Sequence, residues 1–195
     1  MRPVVTALHE RPRGRVEISL DGAPWRLVPA DAVVRTGLAV GRALDRDTAR
    51  TLGRELRRAQ ALARAARALG PRDRSRRSLD DRLARAGVPA ATREEALGTL
   101  ERAGLVDDAR VAVRRAEGLA ARGYGDAAIR FDLEREGLAS GLVDEAVAGL
   151  DPELDRAKAL VERRGQGLKT ARWLAGKGFD AATVEEALGQ FAEDA

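Results

Sequence analysis

Three stretches of this chain are versions of one stretch. "RLARAGVPAATREEALGTL" (82–100), "DLEREGLASGLVDEAVAGL" (132–150) and "WLAGKGFDAATVEEALGQF" (173–191) align without a gap. Leucine stands second in each (Leu83, Leu133, Leu174), and glycine follows four residues later (Gly87, Gly137, Gly178). An apolar residue comes next (Val88, Leu138, Phe179), then a glutamate eight residues past the glycine (Glu95, Glu145, Glu186). The last position is Leu100, Leu150 or Phe191. The leucines lie 50 and then 41 residues apart, a period that belongs to helical arrays. Glycine can take the left-handed conformation that closes a helix. Each stretch therefore reads as a helix ending at its glycine, an apolar residue turned back onto that helix, and a second helix soon after. Thr92 and Thr183 are its candidate caps.

An amphipathic segment precedes each pair, at 57–69, 107–121 and 153–164, which makes three helices per unit. One unit buries too little surface to stand alone, so the units are expected to stack into an elongated curved rod. The units are placed at 46–106, 107–152 and 153–195. Residues 1–45 read differently. "VEISLDGAPWRLV" alternates Val16, Ile18 and Leu20, turns at Asp21-Gly22 and continues through Trp25 and Leu27, which is the pattern of a β-hairpin. "VVTALHE" (4–10) has the composition of a third strand, and the glycines of "GLAVGRAL" (37–44) read as a turn. The helical period begins beyond, and "DRDTARTLGRELRRAQALARAARALG" (45–70) ends at Gly70-Pro71. The expected fold is mostly α, tandem three-helix repeats preceded by a small β-hairpin element.

Several function classes lack their residues. With no cysteine there is no disulfide framework, thiolate metal site or cysteine nucleophile. His9 is the single histidine, beside a strand and far from a second ligand type, so neither a metal nor a cofactor is expected. No phosphate-binding loop, dinucleotide fingerprint or serine elbow occurs, which leaves no small-molecule substrate to propose. "MRPVVTALHERPRGR" lacks the apolar core of a signal peptide, and no apolar run could span a membrane, so the cytoplasm is the expected location.

Charge is distributed unevenly. Residues 1–80 hold 18 Lys+Arg against 9 Asp+Glu, whereas residues 81–195 hold 17 against 22. A basic front half suits a polyanion or an acidic partner. Arginine supplies 32 of the 35 basic residues, a bias a GC-rich genome would also produce, so placement is more informative than number. The densest cluster is Arg72, Arg74, Arg76, Arg77 and Arg82 in "RDRSRRSLDDR", read as a loop entering a helix, where Arg72, Arg74, Arg76 and Arg77 could reach phosphates. A solvated face accounts for it equally well.

"GLVDDARVAVRRAEGLAARGYGDAAIRFDLEREGL" (104–138) holds the remaining candidates. Asp107 and Asp108 could be metal or acid–base carboxylates. They also stand just ahead of a helix whose expected apolar face is Ala109, Ala112, Val113, Ala116 and Leu119, where capping is the favoured reading. Tyr124, between Gly123 and Gly125, either packs in the inter-helix turn or offers a contact to a partner.

"GLVDDARVA", "ARGYGDAAIRFDLEREGL" and "GFDAATVEEAL", in that order, resemble the RecX regulators of the bacterial recombinase RecA. "RSRRSLDDRLARAGV" resembles that family's first helical unit, and the hairpin segment is similar to its amino-terminal element. The resemblance implies a non-enzymatic protein of homologous recombination and DNA repair. Such a protein lies in the groove of the RecA–DNA filament, interferes with ATP hydrolysis and strand exchange, and opposes filament growth. It carries over Leu105, Asp107, Asp108, Gly123, Gly125, Leu133 and Gly137, with Arg122, Tyr124 and Arg130 as expected partner contacts. Where members often place aromatics after the aspartate pair, this chain has Val111 and Arg115. The alternative is a helical DNA-binding protein docking through its basic amino-terminal half, a reading that would require arginines concentrated along one recognition element.

Overall fold

The computed structural model describes residues 2–70 and 73–189. Arg72 of the basic cluster and Phe191 of the third repeat lie outside the described residues. Two units divide the chain: Met1–Arg72 with Leu79–Ala103, and Asp73–Ser78 with Gly104–Ala195.

The first unit opens with an antiparallel meander of β1 (Val5–Arg11), β2 (Arg15–Leu20) and β3 (Ala23–Pro29) in that order. Asp21 and Gly22 both take positive φ, 50° and 87°, as the hairpin reading requires. A second such turn at Arg13-Gly14 joins β1 to β2. Alternation sends Val16 and Ile18 inward, but a register shift between Ile18 and Ser19 leaves Trp25 and Leu27 exposed and buries Val28 instead. Unforeseen in the sequence, α1 (Ala30–Thr36) covers the sheet, and residues 41–44 return along β1, with the Val5 amide donating to the Arg42 carbonyl at 2.9 Å. The "turn" of 37–44 thus protects an edge strand. The sheet's core takes in Leu52 of α2 (Arg46–Leu69), so a boundary at 45/46 cuts through packed side chains. α2 continues onto α4 (Ala90–Arg102), and α3 (Arg76–Arg85) completes the first repeat.

The second unit holds α5 (Asp108–Ala121), α6 (Asp126–Glu136) and α7 (Ser140–Ala148), then α8 (Glu153–Arg164), α9 (Leu168–Gly176) and α10 (Ala181–Gly189). Each triplet has its own core. Ala112, Ala116, Ile129, Leu133, Val143 and Val147 fill the first, and Val161, Leu174, Phe179, Val184 and Ala187 fill the second. On α5 the buried stripe is Val111, Ala112, Ala116 and Leu119, while Ala109 and Val113 face out, a rotation of about 55° from the expected face. The cause is Arg115, which sits within the buried stripe and brings its own partners. The expected threonine caps are also replaced. α4 follows Pro89 with no side-chain cap, and the Asp180 carboxylate accepts from the Ala182 amide at 3.0 Å ahead of α10.

The repeat glycines close their helices as expected, with φ of 75°, 87° and 83° at Gly87, Gly137 and Gly178. The residue after each donates its amide back five positions: Val88 to Leu83, Leu138 to Leu133 and Phe179 to Leu174, at 3.1, 3.3 and 3.2 Å. This 6→1 bond satisfies a terminal carbonyl and folds the apolar side chain onto the helix it follows. The three positions differ in what surrounds them. A Cβ on Gly87 would meet nothing within 4 Å, whereas one on Gly178 would lie 2.7 Å from the Ala128 amide nitrogen. Gly87→Ala should cost only left-handed strain, about 1 kcal/mol. Gly178→Ala should cost about 2–4 kcal/mol by adding a backbone collision. Gly137→Val should fall at the upper part of that range, since a Cβ there would meet the Arg77 side chain. Urea denaturation of the three variants checks the ranking.

Candidate partner-binding surface

Of the paired aspartates, Asp107 caps its own helix, its Oδ1 accepting from the Arg110 amide at 2.9 Å. Asp108 does something the sequence did not reveal. Its Oδ1 accepts from the Arg76 amide at 2.7 Å, so it caps the start of α3 rather than of α5. Ser75 completes that cap. Its hydroxyl accepts from the Ser78 amide at 3.0 Å and donates to the Glu136 carbonyl at 2.5 Å, and the side chain is buried. Asp73 pairs with Arg114 at 3.0 Å, and the Arg77 stem lies against Gly137. Residues Asp73–Ser78 are therefore fastened to the second repeat along their length.

This corrects the reading of the basic cluster as a solvent-facing loop. Arg76 and Arg77 form the first turn of α3, Arg74 and Arg76 are half-buried and engaged, and among the described members Arg77 and Arg82 are exposed.

The second and third repeats meet through an equivalent arrangement. Glu153, like Asp108 the first residue of its helix, accepts from the Asp126 amide through Oε1 at 2.6 Å. Gly125 and Gly178 bring two backbones together: the Gly125 amide donates to the Lys177 carbonyl at 2.9 Å, and the Ala127 amide to the Gly178 carbonyl at 3.2 Å. Arg156 reaches across to the Tyr124 carbonyl at 2.9 Å and pairs with the Asp126 carboxylate. Tyr124 is half-buried against the second repeat's core, and the Lys177 ammonium lies 3.9 Å from its ring centroid. Of the three expected partner contacts, Arg122 is exposed, Tyr124 belongs chiefly to this joint, and Arg130 is paired with Asp144 across α6 and α7. Sequence reasoning missed Phe131, which is 65% exposed on the outer side of α6. An aromatic without a core partner was its only signal.

Arg115 explains the departure from the family's aromatics. It pairs with Asp132 and lies 3.7 Å from Glu136, whose side chain is only 9% exposed. The hydrogen bond to Asp132 raises the Arg115 pKa. Burial works against charge on Asp132, but Arg115 and Arg135 outweigh it and hold the carboxyl below its ordinary range. Val111, at the other departure, is simply core. Among the described residues no group of three or more His, Cys, Asp or Glu could hold a metal, and no helix is long and apolar enough to cross a membrane.

These features define a tandem three-helix-repeat protein whose chain opens with a β-meander, with interlocked caps where a catalytic centre might have been sought. No family model matches the chain. Curated relatives do. It is 34% identical over 144 residues to the regulatory protein RecX of Acidithiobacillus ferrooxidans, covering 68% of this chain and 91% of the relative. It is 33% identical over 150 residues to that of Deinococcus radiodurans, covering 72% of each. A crystal structure of regulatory protein RecX superposes with a TM-score of 0.81 at 22% identity, covering 96% of this chain and 99% of that one. RecX from Lactobacillus salivarius gives 0.60 at 16% identity, covering 69% of this chain and 96% of that one. The chain belongs to the RecX family of regulatory proteins.

Replacing Arg115 by Gln removes the cation that two half-buried carboxylates share, leaving Asp132 with Arg135 alone, and should cost about 1–3 kcal/mol at neutral pH. Because Asp132 titrates lower in the folded protein, its contribution is complete above the unfolded value of about 3.9 and is lost as pH falls through the folded value. The gap between wild type and Arg115→Gln should therefore shrink below about pH 4, as urea midpoints at pH 7 and pH 3 would report.

Proposed function

We propose that this protein binds the filament that the recombinase RecA forms on DNA and restrains its ATP hydrolysis and strand exchange. Membership of a family whose relatives are named regulatory proteins carries the reading. The second unit supports it: its half-buried carboxylates and most of its arginines are consumed in caps and ion pairs, as in a binding scaffold. Outward at its centre stand Arg122 in the α5–α6 turn and Phe131 on α6, an arginine and an aromatic of the kind that anchor interfaces. Arg130 lies beside Phe131 and shares its charge with Asp144, and Tyr124 holds the turn that presents Arg122. A partner assembled on DNA in the cytoplasm places this protein there as well.

The test is RecA's DNA-dependent ATPase on single-stranded DNA. Substoichiometric protein should lower the rate, and no effect at several-fold excess of folded protein would reject the proposal. Arg122→Ala with Phe131→Ala should leave the melting temperature within a degree or so, since neither is core, and raise the half-inhibitory concentration about ten-fold or more.

A further inference from the structure

α2 is 24 residues long, and its arginines fall into two groups. Arg58 turns inward, 12% exposed, to Glu55 and the Thr99 hydroxyl. Arg46, Arg50, Arg54, Arg57, Arg64 and Arg67 are all exposed. At 100° and 1.5 Å per residue, those six fall within an arc of roughly 140° and run about 31 Å along the axis. The opposite side buries Leu52, Ala61, Ala65 and Ala68. One acid, Asp47, intrudes on the stripe, in a fully solvated pair with Arg50. Among the described residues no carboxylate pairs with Arg46, Arg54, Arg57 or Arg67, and Arg64 spends one donor on the Ala86 carbonyl at 3.1 Å.

Apart from that Arg64 bond, the stripe does nothing for the fold. Lysine, glutamine and glutamate are as good helix formers as arginine. Arg46 with Arg50 and Arg50 with Arg54 are like-charge neighbours four apart, and Arg54 with Arg57 and Arg64 with Arg67 are three apart, each pair costing a few tenths of a kcal/mol. A row of one sign, maintained against repulsion, needs an extended counter-charge. Between the arginines stand Ala49, Gly53, Gln60 and Ala63, with no aromatic and no large apolar side chain. A protein partner would want a buried anchor, and a membrane surface an apolar face. Neither is present. A phosphate backbone needs neither, and guanidinium forks match phosphate oxygens directly.

We infer that the arginine stripe of α2 is a docking surface for the phosphate backbone of nucleic acid, bound without regard to base sequence. This locates direct nucleic-acid binding on one helix of the first unit. It stands apart from the filament reading, because it requires no recombinase.

The experiment uses the full chain and naked DNA: a 30-nucleotide single strand and a 30-base-pair duplex, each in two unrelated sequences, titrated by fluorescence anisotropy from 50 to 200 mM salt. Arg46→Gln, Arg50→Gln, Arg54→Gln and Arg57→Gln combined should leave the melting temperature unchanged or slightly raised. The slope of log affinity against log salt should become shallower by about 3–4 on duplex or about 3 on single strand. The substrate that shows the loss identifies the form of the ligand. The same four positions changed to Lys should retain the slope, and the two sequences should bind alike. An unchanged slope on both substrates overturns the inference, as does strong preference for one sequence. A protein without effect on RecA but with this salt behaviour would remove the filament proposal and leave the stripe standing.

Discussion

Everything in the second unit depends on backbone amides at the start of one helix being satisfied by a carboxylate from another triplet or segment. The first amides of a helix have no partner within it, and burying them unpaired is costly. Asp126, which opens α6, solves this with Glu153 of α8, and Arg76, which opens α3, with Asp108 of α5. Each carboxylate is the first residue of its own helix, where the dipole also favours it. The glycine closing the following helix then seats where only hydrogen fits, Gly178 over Ala128 and Gly137 over Arg77. The joint between triplets is thus a rule about ends: the starts of α3 and α6 are capped from the next triplet, and both helices stop at a glycine.

That rule sorts the arginines. Arg115, Arg156 and Arg58 are held within their units by carboxylates, carbonyls or a hydroxyl, and their loss would strand partners in low dielectric. Among the described residues, Arg122 and the stripe's Arg46, Arg54, Arg57 and Arg67 hold no such partner. A count of basic residues cannot separate these groups. Partnership can, and the free guanidinium groups are the ones on which both proposals rest.

Much of the architecture was legible. The repeat glycines, the bounds of α2, α5 and α8, the Asp21-Gly22 turn and the Asp107 cap all follow from local rules. What escaped depends on neighbours distant in sequence. Charges were assumed to face solvent, so the buried side of α5 was placed at Val113 instead of Val111, because Arg115 turns inward to Asp132. Asp108 reads as a cap from its position, but its recipient lies 32 residues upstream. The loop reading of Arg72, Arg74, Arg76 and Arg77 overlooked Ser75 as a cap, and so placed the helix start too late. The α2 stripe was visible all along, with basic residues recurring every three or four positions, but became distinct only once Arg58 was seen to turn inward.

The most direct test of this account is amide hydrogen exchange in wild type and Glu153→Ala. Glu153 supplies acceptors to the Asp126 and Asp180 amides, at 2.6 and 3.4 Å, and nothing to the amide of Arg110, which Asp107 caps. Losing a charged acceptor should reduce protection at Asp126 by about ten-fold or more, with a smaller loss at Asp180 and none at Arg110. Unchanged protection at Asp126 would contradict the claim that carboxylates of one repeat hold the helix starts of another.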